Sequence, residues 1–192
     1  MASALVDTFD ILESSGMIKD GMNVLDVGCS VGYWADTILA KGYKVNYIGL
    51  DVSLIRIHQN EHRFRETPYR FYHINALNKM YNPIGKIQQD KVKFPVANYW
   101  ADLVICHSLF THLGPFPNAA HYMGEIKRVS KPQSFLWITF FQYPPNEPNY
   151  ETERTVYTAH QIESLCHESN VLHISGGKTT DYNDQLMLGL SR

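Results

Sequence analysis

The feature that most constrains the fold is an alternation of short apolar runs with longer stretches of helical period. The apolar runs are NVLDVG (23–28), KVNYIGLD (44–51), YRFYHIN (69–75), ADLVICH (101–107) and SFLWITFF (134–141), followed by NVLHIS (170–175) and DQLMLGLS (184–191). Apolar residues recur with a period near 3.6 over 2–14, 32–41, 53–65, 118–130 and 158–168, as amphipathic helices require. Strands that alternate with helices predict a mostly parallel sheet covered on both faces. The last two runs have only the turn-rich GGKTTDYND between them. A parallel crossover needs about a dozen residues or more, so that pair is expected to form an antiparallel hairpin. The expectation is an α/β fold with a seven-stranded, mostly parallel sheet, a C-terminal antiparallel hairpin and helices on both faces. Without an internal repeat, low-complexity segment or linker, residues 1–192 read as a single domain.

Composition narrows the class further. The chain is 44% hydrophobic and 19% charged, in the range of ordinary globular domains. A formal net charge of -2 offers no attraction to a polyanion, so no nucleic-acid partner is expected. The three cysteines, Cys29, Cys106 and Cys166, are far apart, odd in number and form no CxxC pair. They predict neither a zinc site nor a disulfide framework, and fit a reducing, cytoplasmic compartment. No run approaches 18 uninterrupted apolar residues, so no membrane span is expected.

The stretch VLDVGCSVGYWA (24–35) carries a turn between the first strand and the next helix. A dinucleotide fingerprint needs three glycines in Gly-x-Gly-x-x-Gly. From Gly28, Ser30 holds the second position and Tyr33 the last, so two of the three fail. The Gly-Lys-Ser/Thr ending of a phosphate-cradling loop is missing as well. What remains is Asp-x-Gly-x-Ser-x-Gly, with Asp26 at the strand's end and Gly28 and Gly32 around a tight bend. Such a bend lets backbone approach a ligand closely, with a carboxylate at hand.

This stretch resembles the first motif of class I S-adenosylmethionine-dependent methyltransferases, whose sheet is Rossmann-like. Four further segments are similar in the same order. Asp51 ends the second strand in YIGLDVS, and Asn75-Ala76 follow the third in HINAL. ADLVICHSLFTHL follows the pattern of the strand and loop beneath the transfer centre, and YMGEIKRVSKPQSFLWITFF that of the next helix, turn and strand. The resemblance spans roughly residues 20–191 and implies S-adenosyl-L-methionine as cofactor and S-adenosyl-L-homocysteine as product. It implies a cofactor site of Asp26, Gly28, Cys29, Ser30, Gly32, Asp51, Val52, Asn75, Ala76 and His107. Asp51 would accept hydrogen bonds from the ribose hydroxyls. Ser30 replaces a common middle glycine, Asn75 a common aspartate, and Gln133-Ser134 a Gly-Gly pair.

An electrophilic methyl group requires a nucleophile aligned in a water-poor site, and a hydroxyl nucleophile benefits from a general base. His107 and His112 are the candidate catalytic residues, against the alternative that both are structural histidines. Trp34 is expected to pack in the core, whereas Leu109, Phe110, Tyr143, Tyr150 and Tyr157 stand between lining the site and packing. The fourth strand lacks the Asn/Asp-Pro-Pro-Tyr/Phe ending of relatives that methylate nitrogen. No acids show metal-ligand spacing, so no metal is expected. The implied acceptor is a small molecule or glycan, methylated on an oxygen of a sugar, carboxylate or natural product. With no inserted cap, the site is expected to be open, covered by a second subunit in a homodimer, or used on a larger acceptor. Two other readings stand beside this one: a non-catalytic scaffold or regulatory partner of the same fold, and a nicotinamide-dependent reductase.

Overall fold

The computed structural model describes residues 9–141 and 155–168, together with the backbone of 184–190. Five parallel strands form its centre: β1 (Asn23–Val27), β2 (Asn46–Asp51), β3 (Arg70–His73), β4 (Ala101–Cys106) and β5 (Ser130–Phe141). The sixth strand, β6 (Asp184–Leu190), pairs antiparallel with β5. The order across the sheet is β3-β2-β1-β4-β5-β6. Among the described residues there are six strands of the seven expected, and the expected C-terminal hairpin is not shown. The expected strand over 170–175 lies outside the described residues.

Helices lie on both faces, as continuous apolar strands demand. On one face, α1 (residues 9–14), α2 (Tyr33–Ala40) and α3 (Leu54–Arg63) pack Phe9, Leu12, Trp34, Ile38 and Ile57 against Val24, Tyr47, Leu103, Ile105 and Trp137. On the other, α4 (Phe116–Val129) and α5 (Ala159–Glu168) bury Tyr122, Met123, Ile126, Ile162 and Leu165 against Leu25, Val27, Val104 and Ile138. Neighbouring residues of β1 feed opposite cores: Val24 one, Leu25 the other, as the two-residue side-chain period requires. Residues 2–8 of the expected first helix lie outside the described residues.

Strand β5 starts at Ser130, four residues before the expected 134. Lys131-Pro132 reads as a turn, yet pairing with β4 begins at Ala101↔Ser130 and resumes at Leu103↔Phe135 after a register shift. Gln133 absorbs that irregularity with φ 65°. Among the described residues, no helix is long and apolar enough to cross a membrane.

Candidate active site

The direction of strand order reverses between β1 and β4, and parallel α/β sheets open a crevice outside the strand ends at such a point. The residues that follow four strands meet there: Gly28 after β1, Asp51 closing β2, Ile74 after β3 and His107 after β4. All four line one cleft of about 590 Å3.

The glycine turn bends through three left-handed residues: Gly28 (φ 84°), Ser30 (φ 46°) and Gly32 (φ 80°). At Gly28 an added Cβ would stand 3.3 Å from Leu109 Cδ1, so the turn packs closely against the segment that follows β4. The amides of Gly28 and Cys29 both donate to the Leu50 carbonyl, at 2.8 and 3.0 Å, tying the turn to β2. Asp51 completes the tie. Its Oδ2 accepts from the Ser30 amide at 2.8 Å and its Oδ1 from the Ser53 amide at 2.7 Å. Each oxygen of an ionised carboxylate has about two acceptor positions, so Asp51 keeps capacity for a ligand's hydroxyls.

Gly28, Ser30, Asp51, Val52, His107 and His112 line the cleft, whereas Asp26, Cys29, Gly32, Asn75 and Ala76 lie outside its lining. Asp26 is 1% exposed and accepts a hydrogen bond from the Tyr47 hydroxyl through Oδ2, leaving Oδ1 unpartnered. Burial pushes its carboxyl up to about 7, against the Tyr47 hydrogen bond and with a smaller push from the Asp51 charge. Cys29 is buried against Asn60, and its thiol is likewise raised by burial. An added Cβ on Gly32 would meet Asn60 and Phe64 at 2.9 Å, so this glycine answers to helix packing. Asn75 accepts from Asn82 Nδ2 at 3.1 Å, and Ala76 is fully buried in an isolated bridge to Ile87.

His107 is partly buried, with its ring edge-on to Trp34 at 6.0 Å between centroids and Nδ1 unpartnered. Burial lowers its pKa, which favours the neutral imidazole. Ser108 then turns the chain with φ 56°, its amide donating to Thr139 Oγ1 at 2.7 Å. The next residues wind into a 3-10 turn, Phe110–His112, that brings His112 back to the cleft. There the Tyr81 ring meets it edge-on, centroids 5.1 Å apart, with the Tyr81 hydroxyl 3.5 Å from Nε2.

A sequence profile of the methyltransferase domain matches residues 8–171. The chain belongs to the methyltransferase domain family. The match makes it a methyl-transferring enzyme by family. Solved structures share the methyltransferase-domain fold at low identity. A protein from Pyrococcus horikoshii is 18% identical, with a TM-score of 0.67 over 98% of this chain and 91% of the other. A SAM-dependent methyltransferase from Aquifex aeolicus is also 18% identical, with a TM-score of 0.66 over 97% and 90%. Magnesium protoporphyrin IX methyltransferase from Synechocystis, solved with bound SAM, is 15% identical, with a TM-score of 0.67 over 100% and 79%.

The methyltransferase domain also builds its cleft from residues that no motif marks. Gln89 and Tyr122 lie in the cleft wall, joined by a 2.6 Å hydrogen bond from the Tyr122 hydroxyl to Gln89 Oε1. Gln89 Nε2 in turn donates to the Leu77 carbonyl at 2.9 Å. Met80 and Tyr81 come from the 76–100 connection, held by an Asn78 side chain that accepts from both their amides. Of the undecided aromatic and apolar residues, Leu109 lines the cleft, whereas Phe110 and Tyr157 are buried in the core; Trp34 is buried in the other core, as expected. Tyr143 and Tyr150 lie outside the described residues.

Proposed function

We propose that this chain binds S-adenosyl-L-methionine at the β1/β4 switch point and moves its methyl group to an oxygen of a small-molecule or glycan acceptor: a sugar, a carboxylate or a natural product. The observation that carries this reading is the pairing of the left-handed turn with Asp51. The backbone at Gly28 comes up to the cleft without a side chain, and Asp51 faces the same cleft with acceptor capacity to spare. Those two features suit an aminoacyl group on one side and a vicinal diol on the other. Val52, Ile74 and Leu109 add apolar wall where a purine needs it. The Ser30 amide, a backbone group that any residue there would supply, holds Asp51.

When bound, the cofactor supplies an electrophilic methyl on a sulfonium. The chain's residues then have three tasks: to hold, to align and to accept a proton. Asp51 and the turn hold. Leu109, Leu113 and Tyr81 narrow the cleft and limit water. His107 is our candidate base, because burial keeps its imidazole neutral and able to take an acceptor's proton. His112, on the same cleft, is the second candidate.

We read the chain as a single domain and place the enzyme in the cytoplasm, a location supported by the burial of all three cysteine side chains outside any disulfide. Cover for the cleft would come from a second subunit or from a larger acceptor.

Calorimetric titration with S-adenosylmethionine, S-adenosylhomocysteine and NADH tests the reading. Micromolar binding of the first two, lost in Asp51→Ala, is expected. Binding of NADH alone would replace the reading with the reductase. Cofactor binding without turnover on any acceptor class would favour the scaffold.

A further inference from the structure

Helix α3 turns two buried side chains, Ile57 and Asn60, toward the sheet. Asn60 lies at helical spacing between Ile57 and Phe64, on the apolar face, and is 1% exposed. A buried amide at such a position is unfavourable unless its hydrogen bonds are made, so what it bonds is informative.

It bonds the glycine turn. Asn60 Nδ2 donates to the Ser30 carbonyl at 2.8 Å and lies 3.8 Å from Cys29 Sγ. Its Oδ1 stands 2.9 Å from where a Cβ on Gly32 would be, close packing that only a glycine there permits. One side chain therefore touches Cys29, Ser30 and Gly32. One turn further along α3, Arg63 donates to the Val31 carbonyl at 3.2 Å. The helix thus holds two successive carbonyls of the turn on the side away from the cleft.

Ser30 is the residue that most needs holding. It is a non-glycine at φ 46°, a left-handed conformation that costs free energy for residues with a Cβ and persists when its surroundings impose it. Its amide is fixed by Asp51 Oδ2 and its carbonyl by Asn60 Nδ2, both at 2.8 Å. The two side chains clamp the peptide units on either side of one strained residue. The same clamp orients Asp51, because the amide it holds is the Ser30 amide.

We propose that Asn60 is a positioning residue for the adenosyl-cofactor site. By imposing the left-handed conformation on Ser30, it allows a serine to stand where the turn favours glycine, and sets Asp51 for the ribose. This inference rests on the cofactor reading above. It also makes a claim of its own: the need for Asn60 should depend on the residue at position 30.

The experiment is a double-mutant cycle of Asn60→Leu and Ser30→Gly. Affinity for S-adenosylhomocysteine is read by calorimetry, and the amide resonances of Ser30 (or its glycine) and Gly32 by NMR without ligand. Leucine keeps the branched skeleton of the side chain while removing the donor, with methyl groups somewhat larger than the amide they replace. Asn60→Leu should weaken binding at least tenfold and shift both amides, with the fold intact by circular dichroism. Adding Ser30→Gly should recover most of the lost affinity, because glycine adopts the turn unaided. If Asn60→Leu unfolds the chain, Asn60→Ser, which retains a shorter donor, takes its place in the cycle. Binding within twofold of wild type in the Asn60 variant, or a loss that Ser30→Gly does not repair, would overturn the proposal. If the wild-type protein itself does not bind S-adenosylhomocysteine, the cofactor reading fails, and with it the role in cofactor binding. The amide shifts would then report only whether Asn60 holds the turn.

Discussion

Asp26→Asn should make the protein's stability markedly less sensitive to pH. In the native protein the Asp26 carboxyl is pushed by burial from its ordinary 3.8 to about 7. In the unfolded chain it titrates near the ordinary value. Above about pH 4, then, the native state holds a proton that the unfolded state has released. A raised carboxyl stabilises the fold fully below its unfolded pKa and loses that contribution as pH rises through the native value. At about 1.36 kcal/mol per pKa unit, the whole span amounts to about 4 kcal/mol, of which about 2–3 kcal/mol falls between pH 5 and pH 8. Asparagine does not ionise and still offers an oxygen to the Tyr47 hydroxyl. Urea unfolding of both proteins across that range isolates the effect, since every other titrating group is common to the two. Relative to wild type, the variant should gain about 2–3 kcal/mol on going from pH 5 to pH 8. A difference that stays constant within about 0.5 kcal/mol would show that Asp26 does not carry a raised pKa, and would refute the argument from burial.

If His107 is the base, burial should place the midpoint of its rate profile below the ordinary imidazole value of 6.5. Turnover of an identified acceptor should rise with pH to a plateau near neutrality and fall by about 10²-fold or more in His107→Gln. A midpoint above 6.5, or a glutamine variant as fast as wild type, would remove His107 from the role. Gly85→Ala should be strongly destabilising. Its Cβ would stand 2.3 Å from the Ala76 carbonyl oxygen, a backbone group that cannot swing aside. A loss of about 2–3 kcal/mol is expected in thermal unfolding, within the range of overpacking mutations. A loss under about 0.5 kcal/mol would mean that the 76–87 connection can open there at little cost.

The alternation of apolar runs and helical stretches located β1 to β4 within about two residues, because strands buried on both faces leave few other patterns. It failed at the start of β5. Lys131-Pro132 carries a turn signature, and only tertiary pairing with β4, with Gln133 in a left-handed bulge, overrides it. In the site, the residues at strand ends were the legible ones: Gly28, Asp51 and His107 follow directly from the order of elements. Asn75 and Ala76 share that register but not the cleft. Asn82, seven residues on, bonds the Asn75 side chain, and Ala76 packs into the core. Gln89, Tyr122, Met80 and Tyr81 reach the cleft from a long connection and from α4, at sequence distances with no periodic signal. Asn60 is different. An amide on the apolar face of an otherwise regular helix is visible in the sequence, and it marks a buried polar contact that the glycine turn supplies.

The central claim is that the cleft at the β1/β4 switch point binds the adenosyl cofactor. Titrating the labelled protein with S-adenosylhomocysteine and following its backbone amide resonances tests this most directly. The account predicts saturable shifts concentrated at Gly28, Ser30, Asp51, Val52, Ser108 and Leu109, absent in Asp51→Ala. No shifts at saturating ligand, or shifts clustered on another face of the sheet, would contradict it.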